Sequence, residues 1–279
     1  MHQQWFTCQN KKLLGNFLSH AQTRTSGDYQ CKFFHFSPES LPTYLFYLAK
    51  VIRNFIEYTR MKNVIDFLEQ LKRNNNREWF NSHKDWYEQS RQKVLFLTEL
   101  IINEIRKFDK DIPITDPKDC LFRIYRDVRF SADKSPYKTH FGSSIAKGGT
   151  KSNRAGYYFH IDPDASFIGG GIYMPGPDVL KALRSAIFDQ PDTFLDILEN
   201  PGFKKTYPTV DGEKLKTAPK GFPPDFEHID ILKFKSYAFT REINKSEIIR
   251  DDFASMMVEK FQTLYPANRF LNDALDQYL

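Results

Sequence analysis

Apolar side chains recur every seven residues between positions 80 and 108, and this period restricts the segment to a helix. The recurring residues are Phe80, Tyr87, Val94, Ile101 and Phe108. Because seven residues span almost two helical turns, these side chains share one face, and that face must be buried. Asn76 is a suitable N-cap for this helix, and Asn63 is one for a shorter amphipathic helix before it. The first part of the fold is therefore predicted to be helical.

Strand patterns replace the helical ones after residue 119. Segments rich in β-branched and aromatic residues predict five strands, at 120–125, 140–146, 157–162, 166–173 and 231–241. Helical patterns return at 179–188 and 192–199, and at the end of the chain at 247–264 and 267–278, separated by Pro266. This order predicts an α+β fold, an antiparallel sheet of about five strands flanked by N-terminal and C-terminal helices.

Residues 1–60 differ in character from the rest and are predicted to be an extension outside the domain. A polar, irregular stretch is followed by an apolar patch that two basic residues interrupt. Two interpretations are open: an accessory helix near 41–58, or a mis-assigned or disordered segment before a true start at Met61. The second is favoured because an amphipathic helix begins directly after Met61. Residues 61–279 are predicted to be a single α+β domain.

The composition excludes several classes of protein. Apolar residues make up 41% of the chain and charged residues 27%, which is typical of a folded protein and not of a disordered one. No stretch approaches the ~20 uninterrupted apolar residues that a membrane-spanning helix needs. The three cysteines are too few and too scattered for a disulfide framework, which suits a reducing compartment. We therefore expect a cytoplasmic protein with no membrane partner.

Positive charge is concentrated between residues 120 and 154. This window holds two acidic side chains, Asp127 and Asp133, and eight basic ones: Arg123, Arg126, Arg129, Lys134, Lys138, Lys147, Lys151 and Arg154. Its excess of positive charge is larger than the net charge of +5 of the entire chain. A local excess of this kind is typical of a site for an anionic ligand.

The centre of this window, residues 123–139, predicts an anion-binding loop. Arginine and lysine bind carboxylate and phosphate groups, and arginine can do so with two parallel hydrogen bonds. We read 120–126 as a strand, so that Arg123 and Arg126 point to opposite faces and the later cations converge on the loop. The predicted ligand-binding residues are Arg123, Arg126, Arg129, Lys134 and Lys138.

Three further loop residues are candidate catalytic groups. Tyr137 is positioned by a turn at Pro136 and can donate a hydrogen bond to the ligand. Asp127 and Asp133 either orient the basic side chains or accept a proton. The alternative is that these carboxylates and the guanidinium groups form a purely structural network of ion pairs.

The motif resembles the signature of a known family, R-x-x-R-D-x-R-F-x-x-D-K-x-P-Y-K. The ten matching positions are Arg123, Arg126, Asp127, Arg129, Phe130, Asp133, Lys134, Pro136, Tyr137 and Lys138. On these residues the chain is similar to the uncharacterised bacterial family catalogued as domain of unknown function 2461, from about Met61 to the end. The resemblance implies no established reaction.

Three classes of function are compatible with the sequence. The first is an intracellular enzyme or binding protein for a small phosphorylated or carboxylated ligand. The second is a nucleic-acid-binding module, in which aromatic rings stack on bases between phosphate contacts: Tyr125, Phe130, Tyr137, Tyr157 and Tyr158. The acidic remainder of the chain disfavours this second class. The third is a structural protein whose motif is an ion-pair network.

The histidines, cysteines and glycines of the sequence are weaker indications of function. The seven histidines show no H-E-x-x-H spacing and the cysteines form no C-x-x-C pair, so neither a metal site nor a cofactor is predicted. His160 and Asp162 share one strand face, which a solvated polar face explains. The glycines at 169–171 interrupt a predicted strand and indicate the close approach of either a ligand or a packed aromatic ring.

Overall fold

The computed structural model of the chain describes residues 60–279. Apart from Arg60, the predicted extension lies outside the described residues, and so does the predicted accessory helix near 41–58. Within the described range, no helix has both the length and the apolar character that are needed to cross a membrane.

An antiparallel sheet of four strands lies at the centre of the fold. The strands are β1 (Phe141–Ile145), β2 (Gly156–Ile161), β3 (Phe167–Ile172) and β4 (Tyr237–Glu242), side by side in this order. Side chains alternate along β2: Tyr157 and Phe159 are buried, whereas Tyr158 and His160 are only partly buried. One face of the sheet therefore lies in the hydrophobic core, and the other face is partly accessible to solvent.

Helices precede and follow the strands in the chain, as predicted, and further helices lie between β3 and β4. Before it come α1 (Lys62–Arg73), α2 (Arg77–Ser82), α3 (Lys84–Phe108) and α4 (Pro117–Cys120). Between β3 and β4 come α5 (Pro177–Asp189), α6 (Pro191–Glu199), α7 (Pro201–Thr206) and α8 (Ile229–Leu232). After it come α9 (Lys245–Ile248) and α10 (Phe253–Tyr278). The α+β class is confirmed.

The sheet has four strands where about five are predicted, because residues 120–125 do not form a strand. They make only isolated bridges, from Leu121 to Ser143 and from Tyr125 to Tyr137. Leu121 pairs with Ser143 of β1, but the chain then turns away from the sheet. Tyr125 pairs instead with Tyr137, twelve residues later in the same segment. A loop is thereby closed where a fifth strand would have formed.

The predicted helix that begins after Asn76 is divided in two. The Asn76 side chain accepts a hydrogen bond from the backbone N–H of Trp79 at 2.9 Å, so it caps α2 as predicted. α2 ends one residue before His83, after which α3 begins. Both helices contribute to the buried stripe, since Phe80 on α2 packs against Tyr87 on α3 with ring centroids 5.0 Å apart.

Pro266 lies inside α10 and does not separate two helices as predicted. A proline in a helix interior removes one backbone hydrogen bond and costs ~3 kcal/mol. The apolar stripe nevertheless continues across it, since Leu264, Ala267 and Leu271 are fully buried. Burial of this stripe offsets the lost hydrogen bond, and the helix remains continuous.

α3 and α10 provide the hydrophobic layer on the core face of the sheet. Val94 and Ile101 of α3 and Phe261 of α10 belong to one buried cluster with Phe159 and Ile168 of the sheet. All five are essentially inaccessible to solvent. Complete burial of side chains of this size stabilises a fold by ~1.5–3 kcal/mol each.

The glycines of β3 are explained by the strands on either side. A Cβ atom on Gly170 would lie 2.0 Å from the carbonyl oxygen of Gly156 on β2 and 2.7 Å from Cδ2 of Leu264 on α10. A Cβ atom on Gly169 would lie 2.0 Å from the carbonyl oxygen of Phe239 on β4. Backbone atoms of the neighbouring strands therefore exclude larger residues at these two positions, and no aromatic ring is among the nearest atoms.

Candidate functional site

The predicted motif forms a closed loop beside the sheet. The backbone N–H of Arg126 donates to the carbonyl oxygen of Pro136 at 3.0 Å, and the N–H of Lys138 donates to the carbonyl oxygen of Ile124 at 2.7 Å. These hydrogen bonds join the two ends of the loop 126–136. The charged side chains of the motif consequently divide into those inside the loop and those at its ends.

Arg126 is held within the loop. Its guanidinium group forms an ion pair with Asp133 and donates to the carbonyl oxygen of Ser135 (3.2 Å) and to Oγ of Ser131 (3.3 Å). Asp133 also accepts hydrogen bonds from the hydroxyl and the backbone N–H of Ser135, at 2.6 and 2.9 Å. The hydrogen bonds from Ser135 and Arg126 hold the pKa of Asp133 far below the usual range of an aspartate. A carboxylate with so low a pKa is a weak proton acceptor.

A second ion pair lies at the tip of the loop. Arg129 donates from Nε to Oδ1 of Asp127 at 2.9 Å and from Nη2 to Oδ2 at 2.6 Å. These hydrogen bonds lower the pKa of Asp127. Both side chains are exposed, and exposed ion pairs contribute only ~0–1 kcal/mol to stability. Phe130, next to them, is 96% exposed.

Lys134 crosses the loop and lines an open groove. Its ammonium group donates to the carbonyl oxygen of Val128 at 3.0 Å. The groove has a volume of about 500 Å³, and Asn75, Arg77 and Pro136 also line it. Lys134 thus has a structural partner in the loop, although that partner is a neutral carbonyl group and leaves the charge unbalanced.

Tyr137 is buried beneath the loop. Only 4% of its surface is exposed, and its ring stacks on that of Phe80 with centroids 3.9 Å apart. The side-chain amide of Asn75 donates to the Tyr137 carbonyl oxygen at 2.9 Å, and Oδ1 of Asn75 accepts from the Tyr137 N–H at 3.1 Å. Predicted as a hydrogen-bond donor to a ligand, Tyr137 lies in the hydrophobic core and anchors the loop to α2.

Arg123 and Lys138 come together outside the loop. Burial and the nearby positive charge of Arg123 lower the pKa of Lys138. The Lys138 ammonium group lies 5.5 Å from the ring centroid of Phe122. Neither cation forms an ion pair with a carboxylate within residues 60–279. The structure therefore groups Lys138 with Arg123, and not with the other three predicted ligand-binding residues.

Aromatic side chains cover the partly accessible sheet face near these two cations. Tyr158 packs against Phe122 and Phe167, with ring centroids 6.2 and 5.5 Å apart. Gly142 on β1 makes room for Tyr158, because a Cβ atom there would lie 2.5 Å from the Tyr158 hydroxyl oxygen. Phe167 also stacks on His160, with centroids 4.8 Å apart. We call Phe122, Tyr158, His160 and Phe167 the aromatic surface.

Two histidines and an aspartate meet at the edge of the aromatic surface. One ring nitrogen of His140, one of His160 and one carboxylate oxygen of Asp162 all lie within 4.8 Å of one another. The register of the sheet brings them together, since His140 precedes Phe141 and Asp162 follows Ile161, the partner of Phe141. Donors of these types are able to hold a metal ion. The spacing of His160 and Asp162 is visible in the sequence, but His140 lies 20 positions earlier, just before β1, and carries no local signal.

The lowered pKa of His140 predicts how the stability of the protein depends on pH. Burial and the positive charge of His160 and Lys138 lower this pKa to about 4, against a smaller opposite effect of Asp162. An unfolded histidine titrates near ~6.5. Between about pH 6.5 and pH 4, the unfolded chain therefore binds a proton that the folded chain does not. Stability is expected to decrease as the pH falls through this range, by ~1–3 kcal/mol from this group.

Chemical denaturation of the chelator-treated protein at about pH 7 and about pH 4.5 measures this change. We expect His140→Gln to remove part of the pH dependence. His228→Gln, which changes a histidine away from the sheet, is the matched control and is expected to keep it. Equal pH dependence of His140→Gln and the parent protein would contradict the prediction.

The comparisons with known proteins identify a family and nothing finer. Residues 63–270 match the model of a family described as "Conserved hypothetical protein (DUF2461)". No curated protein and no solved structure matches the chain. The matched range includes the loop, the aromatic surface and the group of two histidines and an aspartate.

Proposed function

We propose that this chain, which belongs to the conserved hypothetical protein family DUF2461, binds a small phosphorylated or carboxylated molecule beside Arg123 and Lys138. One observation carries the proposal: Arg123 is near enough to Lys138 to lower its pKa, and neither cation forms an ion pair with a carboxylate within residues 60–279, although the charge of Arg123 also lowers the pKa of Asp127. A cytoplasmic location belongs to the proposal, because the scattered cysteines suit a reducing compartment.

The difference between paired and unpaired cations of the motif supports a ligand beside Arg123 and Lys138. Arg126 and Arg129 each have a carboxylate partner in the loop, Asp133 and Asp127 respectively. Arg123 and Lys138 repel each other, and an anion between them would relieve this repulsion. Hydrogen bonds between such groups and a phosphate or carboxylate are among the stronger ones in proteins.

The aromatic surface supports a small organic ligand over a free inorganic ion. Binding sites for small molecules are usually apolar surfaces with a few polar or charged groups that set the orientation. Phe122 contacts both parts of the site, because its ring lies 5.5 Å from the Lys138 ammonium group and 6.2 Å from the ring of Tyr158. The apolar part of the ligand would pack there while its acidic group contacts the two cations.

The remaining predicted site residues receive supporting roles in this proposal. Asp127 and Asp133 orient Arg129 and Arg126, and Lys134 holds the loop through the carbonyl group of Val128. These contacts position the chain segments on which Arg123 and Lys138 lie.

A titration with a panel of ligands tests the proposal. Inorganic phosphate, nucleoside monophosphates, sugar phosphates and dicarboxylic acids are screened by thermal shift, and binding is then measured by calorimetry. A bound compound raises the melting temperature because it stabilises only the folded state. The double variant Arg123→Gln/Lys138→Gln is expected to bind at least ~100-fold more weakly, since a hydrogen bond to a charged group contributes ~1.5–3 kcal/mol.

A second double variant separates a specific site from general charge. Lys147→Gln/Lys151→Gln removes the same charge from two exposed lysines in the same part of the sequence. We expect this control to bind as the parent does. The proposal fails if no compound of the panel stabilises the protein, or if both double variants lose binding equally.

Nucleic-acid binding is a second candidate because of the tip of the loop. Phe130 is almost fully exposed, and the guanidinium group of Arg129 lies 5.8 Å from its ring centroid. A ring and a cation in this arrangement are suited to stack on a base and contact a phosphate. Binding of this kind weakens steeply as salt is added. Single-stranded DNA that binds in a salt-dependent manner, and is released by Phe130→Ala, would favour this second function.

A further inference from the structure

We propose that His140, His160 and Asp162 form a binding site for a divalent transition-metal ion. The inference does not depend on the anionic ligand, because it is carried by different residues. It rests on the convergence of three metal-binding side chains, on the contacts that hold them, and on the donor types.

The three donors converge because of the register between β1 and β2. A ring nitrogen from each histidine and an oxygen of Asp162 lie within 4.8 Å of one another. Metal–ligand bonds of ~2.0–2.2 Å place neighbouring donors roughly 3–4 Å apart. Small rotations of the side chains would bring the donor atoms from within 4.8 Å to this spacing. The rings of His140 and His160 already lie with centroids 4.1 Å apart.

Contacts around the donors resemble those that orient metal ligands in proteins. Nδ1 of His160 lies 3.1 Å from the hydroxyl group of Tyr158, which leaves Nε2 for a metal ion. The His160 ring is also stacked on Phe167 with an angle of 11° between the planes. A ligating histidine typically makes such a hydrogen bond with its second nitrogen, because the bond fixes the tautomer and the ring orientation.

Asp162 is held in a similar way. Its Oδ1 accepts hydrogen bonds from the backbone N–H groups of Asp164 and Ala165, at 2.9 and 3.2 Å. Among residues 60–279, Oδ2 has only a long contact of 3.4 Å with the hydroxyl group of Thr139. One oxygen therefore positions the carboxylate in the turn after β2, and the other remains for a metal ion.

The donor types select the class of metal. Two imidazoles and one carboxylate suit zinc, iron(II), cobalt, nickel or copper, whereas calcium and magnesium prefer oxygen donors alone. Three protein ligands leave at least one coordination position for water or another molecule. Lys138 lies close enough to lower the pKa of both histidines, and its charge opposes a cation. An anion bound to Lys138 would offset that charge and strengthen the binding of the metal.

Cobalt(II) is a suitable probe because its visible spectrum reports the donors around it. The full chain is treated with a chelator, transferred to a phosphate-free buffer and titrated with Co²⁺, and then with Zn²⁺ in competition. We expect new visible bands that saturate and that Zn²⁺ removes. His160→Gln and Asp162→Asn are each expected to weaken cobalt binding by more than ~100-fold. Loss of a group that only hydrogen-bonds to a metal ligand already costs ~10–100-fold in metal affinity.

Matched variants assign the signal to this site. His228→Gln and Asp164→Asn make the same chemical changes outside the three donors and are expected to leave the cobalt bands unchanged. Tyr158→Phe keeps the ring but removes the hydrogen bond to His160, and a ~10-fold loss of affinity is expected. Circular dichroism and the melting temperature in chelator show that each variant is folded.

The outcomes separate this inference from the proposed function. Cobalt binding that survives Arg123→Gln/Lys138→Gln supports the metal site even where anion binding is lost. Weak binding that no substitution of His140, His160 or Asp162 changes would overturn the inference. So would the absence of any cobalt bands at millimolar concentration, whatever the result of the ligand panel.

Discussion

Gly170→Ala is expected to destabilise the protein by about 3 kcal/mol or more, because the added methyl group overpacks the sheet. The new Cβ atom would lie 2.0 Å from the carbonyl oxygen of Gly156 and 2.7 Å from Cδ2 of Leu264. The Leu264 side chain can move, but the carbonyl oxygen belongs to the paired strand β2 and cannot move without loss of strand pairing. A gain of ~0.4–1 kcal/mol from the less flexible unfolded chain does not offset this cost.

Urea denaturation of the parent, Gly170→Ala and a matched glycine variant measures the effect. Gly176 is the suitable control, because no atom lies within 4 Å of a Cβ atom placed there. It precedes α5 as the N-cap, where serine is preferred over glycine, so Gly176→Ser is expected to change the stability by less than ~0.5 kcal/mol. Similar stability of Gly170→Ala and the parent would show that the strands are not packed as closely as described.

Tyr137→Ala is expected to destabilise the protein by ~3–5 kcal/mol, because it removes a large buried side chain and leaves a cavity. The Tyr137 ring stacks on Phe80 with centroids 3.9 Å apart and lies 5.5 Å from the ring of Tyr125. Its backbone is joined to the side chain of Asn75 by two hydrogen bonds. Loss of the ring should therefore loosen the loop as well as the core.

Tyr137→Phe distinguishes packing from a role of the hydroxyl group. This variant keeps the ring, and we expect a stability within ~1 kcal/mol of the parent, together with unchanged binding of whichever anion the ligand panel identifies. Denaturation midpoints and calorimetric titrations of the two variants check both expectations. If Tyr137→Phe were stable but had lost the ligand, the hydroxyl group would be a ligand contact, as the sequence analysis predicts.

Most of the secondary structure could be predicted because it depends on local patterns. The repeat that includes Phe80 and Tyr87 identified the buried helical face, and Asn76 identified a helix start. The misplaced boundaries have tertiary causes. Pro266 was predicted to end a helix, yet the buried stripe on both sides keeps α10 continuous.

The motif shows where prediction from the sequence stopped. Residue types and spacing marked residues 123–139 as unusually basic, and the family match covers them. Spacing could not show that Arg126 is paired with Asp133 while Lys138 lies beside Arg123. That division depends on where the loop closes, which requires the hydrogen bonds between its two ends.

The sequence by itself determined the α+β class, the approximate positions of the long helices and of the four strands, and the position of the charged motif. These follow from the periodicity of neighbouring residues and from composition, which need no knowledge of distant contacts. Only the tertiary structure decided which charges are neutralised and which side chains meet. His140 and Asp162 are 22 positions apart in the chain, and the register of β1 against β2 alone makes them neighbours.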